Sequence, residues 1–145
     1  MKNVELKHRV HSVASKILKE SIYISPVDML IKIGVLSVID YENWRFGRVP
    51  YLEKVCKTNL SKLSFLMNEL RAFNRQNYLQ PSWTAYCQWG VKGKKIPLRF
   101  SKSGSPNIEE AYATHYVINA KRSIKADCSK EETVEKYNTV RSNLS

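Results

Sequence analysis

The sequence predicts a mainly helical α+β fold, a helical bundle followed by a β-hairpin and one further helix. Three observations predict it. Before residue 80, apolar residues recur at helical spacing between clear caps; after Pro81 the period shortens and aromatics accumulate; and Ser105-Pro106 then restarts a helix. At 145 residues, with 43% hydrophobic and 26% charged content, the chain suits a single packed domain. We place that domain at 1–122, leaving 123–145 as a polar tail or short helix.

The first helix is expected over Arg9–Glu20, where Val10, Val13, Ala14, Ile17 and Leu18 form one stripe. Ser25-Pro26-Val27-Asp28 combines an N-cap serine, proline at the first helical position and a carboxylate at the third. The helix it opens carries Met29, Leu30 and Ile33, and Gly34 is suited to stop it. Ser37-Val38-Ile39-Asp40 caps a further segment through Tyr41, Trp44 and Phe46, stopping at Gly47. From Pro50 to about Asn77 runs the longest helical pattern, with Thr58-Asn59 offering a break within it.

Trp83–Trp89 and Ile96–Phe100 then read as the arms of a hairpin at about 83–100, with Gly90–Lys95 at its tip. Pro97 suits an edge position. The helix opened by Ser105-Pro106 is expected to carry Ile108, Ala111, Tyr112, His115 and Tyr116. Beyond residue 123, Ser129-Lys130-Glu131-Glu132 either caps a last helix through Val134, Tyr137 and Val140 or belongs to a loose tail.

Charge is the leading functional signal. Twenty-four Lys and Arg against 13 Asp and Glu give a net +11, which attracts polyanions. The excess is concentrated, because residues 81–105 hold Lys92, Lys94, Lys95, Arg99 and Lys102 and no acid, whereas 106–145 is neutral. Cations at a hairpin tip neutralise phosphates, and the interleaved Trp83, Tyr86, Trp89 and Phe100 either stack on bases or pack the core. A lysine-rich tip is equally the form of a solvated turn guarded against aggregation.

The stretch Leu30–Val35 followed by Tyr41–Pro50 resembles the Xre-type, phage-repressor helix-turn-helix, with Gly34-Val35, Trp44, Gly47 and Pro50 in similar places. Ser37 comes one residue late, Arg45 stands where that family has glutamate, and the Gly34-to-Trp44 spacing is one longer. The resemblance implies that residues 38–46 enter a major groove, Asn43 and Arg45 reading base edges and Arg48 and Lys54 holding phosphates. A helix pair ahead of a basic hairpin is also similar in order to a winged helix. The strings WRFGRVPYLEKV and LRFSKSGSPNIEEAY look like those of small bacterial proteins of unassigned function, a likeness that transfers no chemistry.

Other chemistry is sparse. No Walker loop, dinucleotide-binding glycines, HExxH or GxSxG occurs, so no cofactor and no enzyme activity are expected. His8 and His11 have metal-compatible spacing but no third ligand nearby, and no metal is expected. Most acids sit at helix starts, where they complement the helix dipole. Cys56, Cys87 and Cys128 read as reduced thiols of a cytoplasmic protein, and neither a secretory leader nor a membrane span is expected. DNA or RNA is the expected partner. An acidic protein surface and a metal-independent ribonuclease using His115 are the rivals, and the oligomeric state stays open.

Overall fold

The computed structural model describes residues 3–118. The order is α1 (Asn3–Glu20), β1 (Tyr23–Ile24), α2 (Pro26–Ile33), α3 (Val38–Arg45), a 3-10 helix (Leu52–Val55), α4 (Leu60–Gln76), β2 (Gln80–Trp83), α5 (Pro106–Ala113) and β3 (Thr114–Val117). The mainly helical α+β class is therefore observed. The reading of residues 119–122 as domain and 123–145 as tail or helix, like Cys128, lies outside the described residues.

Caps end the helices largely where the sequence places them. The Ser25 hydroxyl accepts from the Asp28 amide at 3.0 Å, and the Ser37 hydroxyl from the Asp40 amide at 3.0 Å. Gly34 closes α2 with φ of 95°, a left-handed conformation that costs a side-chain-bearing residue about 1 kcal/mol. The break expected near 58–59 is real, since the Asn59 side chain caps α4 by accepting from the Lys62 amide at 2.8 Å. Upstream of it only Leu52–Val55 coils, and as a 3-10 turn, because its amides pair with another segment. Leu52 and Glu53 donate to the carbonyls of Arg99 and Phe100 at 3.2 and 2.9 Å.

The sheet departs most from expectation. Its order is β1-β3-β2, antiparallel throughout, with Trp83 opposite Thr114 and Tyr23 opposite Val117. Trp83 thus belongs to β2 and pairs with the chain after α5, not with Phe100. The anticipated hairpin shrinks to a single bridge, Cys87 to Pro97, flanked by Gln88 N to Ile96 O (2.8 Å) and Leu98 N to Tyr86 O (2.8 Å). His115 and Tyr116, expected on a helix, lie on β3, the central strand. Thr114, Tyr116 and Val117 are β-formers, and pairing on both sides outweighs the helical period that ends at Ala113.

The core joins the α1 stripe (Leu6, Val10, Ala14, Ile17) to α2 and to Leu63, Leu66, Leu70 and Phe73 of α4. A second, aromatic part surrounds Trp44, which is fully buried. Its ring centroid is 5.1 Å from Phe100 and 5.7 Å from Tyr86, and its indole N–H donates to the Arg99 carbonyl at 2.8 Å. Cys56 is a buried free thiol, its pKa pushed up to about 12 by burial, and Cys87 is buried as well. No helix among the described residues is long and apolar enough to cross a membrane.

Candidate nucleic-acid interface

Two stretches of chain, 45–57 and 88–102, lie side by side, and most of the cations singled out in the sequence ride on them. Trp89 N donates to Arg45 O at 2.7 Å at one end, and the Leu52 and Glu53 amides reach Arg99 and Phe100 at the other. Gly47 is needed at this seam. Its φ is 76°, a left-handed conformation that favours glycine, and a side chain there would also displace the end of the Gln88 side chain, 2.5 Å away.

At the first end, Phe46 packs edge-on to Trp89 with centroids 5.3 Å apart, and Gly90 closes over it. The Arg48 guanidinium sits 5.1 Å above the same Phe46 ring and donates to the Asn43 side-chain oxygen at 3.1 Å. The turn carrying Lys92, Lys94 and Lys95, all exposed, springs from Gly90 beside this ring. At the second end, the Arg99 guanidinium lies 5.6 Å from the Tyr51 ring and donates to the carbonyls of Ser101 (2.8 Å) and Lys102. Lys54 and Lys102 are exposed alongside.

Two carboxylates hold this second end in shape. Glu109 accepts from the Phe100 amide (2.9 Å), the Ser101 amide (2.6 Å) and the Ser101 hydroxyl (2.6 Å). Glu53 takes the Lys102 amide on one oxygen and the Tyr112 hydroxyl on the other, each at 2.8 Å. Burial and this bond to Glu53 both raise the Tyr112 pKa, so it stays a donor. The Phe100, Ser101 and Lys102 backbone amides are thus occupied by the protein's own carboxylates.

Arg45 requires a correction. Expected to read base edges, it is 1% exposed, and it donates to the Cys87 carbonyl at 3.0 Å. Its guanidinium lies 4.8 Å from the Trp89 ring centroid and 5.0 Å from that of Tyr86. Burial lowers its pKa from the ordinary arginine value, opposed by Tyr41 and Tyr86. It is a structural cation inside an aromatic cage. Asn43 is half-buried and engaged with Arg48. The outward side chains of α3 are instead Ile39, 70% exposed, with Asp40 and Glu42 half-exposed, a face that repels phosphate.

Of the four aromatics interleaved with the cations, Trp89 and Phe100 are buried and Tyr86 is half-buried. They pack the core, and only Trp83 stands out, 56% exposed. The histidines are dispersed. His11 faces Glu69 at 3.5 Å and sits edge-on to Phe73, while His8 is exposed on α1. His115 is buried, stacked on Tyr23 at 5.1 Å and 2.9 Å from the Tyr86 hydroxyl, so it is closed to a large substrate. Among the described residues no group of three or more His, Cys, Asp or Glu is arranged to hold a metal ion.

Sequence reasoning missed one seam cation. Lys57, assigned to the long helical pattern, lies in the connection before α4, exposed, with its amide bonded to Val35 O at 2.7 Å. The early break signal at 58–59 was its clue. No protein-family model, curated protein or solved structure matches the chain.

Proposed function

We propose that this protein binds nucleic acid, mainly through the phosphate backbone, along the seam between residues 45–57 and 88–102. The observation that carries the reading is the backbone pairing of the two segments. The two paired segments carry Arg48, Lys54, Lys57, Lys92, Lys94, Lys95, Arg99 and Lys102, each exposed, with Glu53 as the one acid in either segment, which supports the reading. A row of cations on a braced scaffold displaces counterions from a polyanion, which favours tight, sequence-independent binding. The acidic, apolar outward face of α3 argues for this seam over groove reading by that helix.

The test is affinity for random-sequence duplex DNA and for RNA by fluorescence anisotropy. Replacing Lys92, Lys94 and Lys95 together by Ala should weaken binding at least about tenfold at low salt. Removing three exposed lysines from α1 (Lys7, Lys16 and Lys19) should cost far less. Equal losses from both triple variants would mean that net charge, and not the seam, does the binding.

A further inference from the structure

We infer that a cleft at the Lys102 end of the seam receives one unstacked nucleotide of a single strand, an inference that rests on the nucleic-acid reading above. The cleft, about 670 Å³, lies between α4, α5 and the turn at 101–104. That volume is in the range of small-molecule sites and holds a nucleotide comfortably.

Its chemistry is divided as a nucleotide is divided. Two cations line it, Arg71 from α4 and Lys102 from the turn, against a single carboxylate, Glu53. Both Glu53 oxygens accept hydrogen bonds, from the Lys102 amide and the Tyr112 hydroxyl, which hold the carboxylate in place on the wall while it keeps its charge. Two cations against one carboxylate leave the lining with a net positive charge, which draws a phosphate to Arg71 and Lys102. Leu60, Met67, Ile108 and Ala111 form the apolar part, with Leu60 and Ile108 49% and 42% exposed. A concave apolar lining of this kind packs against the face of a base. Asn68 and Asn107, both exposed and both lining the cleft, offer paired donors and acceptors to a base edge.

Continuity settles the source of the nucleotide. Lys102 belongs both to the cation seam and to the cleft wall, so a strand whose phosphates follow the seam arrives at the cleft with a base to place. A duplex keeps its bases stacked and presents only phosphates; a single strand presents both.

Anisotropy titrations of the full chain with a mixed-sequence single strand of about 12 nucleotides, the matching blunt duplex and AMP test this. The single strand should bind more tightly than the duplex. Asn68→Trp, an exposed position where the indole fills the cleft without touching the core, should lower single-strand affinity about tenfold and leave duplex affinity unchanged. Arg71→Ala should act in the same direction, and circular dichroism and thermal melting verify that both variants fold. If Asn68→Trp affects neither nucleic acid, the cleft assignment is overturned while the seam stands. If the three tip lysines prove indifferent but Asn68→Trp still lowers single-strand affinity, the seam falls and the cleft stands. Saturable AMP binding lost in Asn68→Trp, with the single strand unaffected, overturns the strand assignment in favour of a free nucleotide.

Discussion

Arg45 shows how one residue's chemistry depends on which way the chain turns. An arginine in a short helix flanked by Asn43 and Arg48 has the make-up of a base reader. A half turn of helix decides otherwise, because α3 buries Tyr41, Trp44 and Arg45 together against Tyr86 and Trp89. Inside that cage the guanidinium gains cation–π attraction worth about 1 kcal/mol per well-placed ring, a hydrogen bond to Cys87 O and an interaction with the Tyr41 hydroxyl. Its Nε has no hydrogen-bond partner among the described residues, which offsets part of that gain. Arg45→Met keeps the aliphatic volume and removes the charge. We expect it to cost about 2 kcal/mol of stability, measured by urea unfolding, while affinity for nucleic acid stays within about twofold of wild type. A large loss of affinity in a variant that remains folded would return Arg45 to the interface.

The short helix α2 carries a stability cost of its own making. Asp28 stands in its first turn, where a carboxylate suits the helix dipole, yet it is packed deeply and its Oδ1 finds no hydrogen bond. Burial raises its pKa from 3.8 to about 6, opposed by Lys32 and reinforced by Glu20. Between those two values the folded chain holds a proton the unfolded chain has already released, so stability falls as pH rises through the window and levels off above it. The shift corresponds to an upper bound of about 3 kcal/mol. Asp28→Asn should therefore stabilise the protein by about 2 kcal/mol near pH 7.5 and by almost nothing near pH 3.5, measured by urea unfolding at both. The same gain at both pH values would show that its charge is not the cause. The elements themselves were legible where local chemistry decides them. Ser25, Ser37, Asn59 and Pro106 mark helix starts, and Gly34 a stop, that need no distant partner. The sheet was not legible in this way. Two-residue β1 has no period to detect, and β3 begins where α5 ends, so only its pairing with Tyr23–Ile24 and Gln80–Trp83 makes Thr114–Val117 extended. The hairpin signal at 83–100 located a real turn but not its partners, because the strand character of Trp83 is spent on β3.

At the scale of the whole molecule, the sequence made visible that positive charge is concentrated, and in which residues. It did not make visible what holds them together. The amide pairing of Leu52 and Glu53 with Arg99 and Phe100 joins segments nearly fifty residues apart, and the carboxylates of Glu53 and Glu109 brace the turn between Phe100 and Lys102. No local pattern encodes such contacts. A polyanion site on that seam should bind with an affinity that is mainly electrostatic. Its most direct measurement is the slope of log affinity against log salt concentration for duplex DNA, for the wild type and for the Lys92/Lys94/Lys95→Ala variant. The variant's slope should be shallower by about 2 to 3, close to the number of phosphate contacts removed. Parallel slopes, with the triple variant losing no salt dependence, would contradict it.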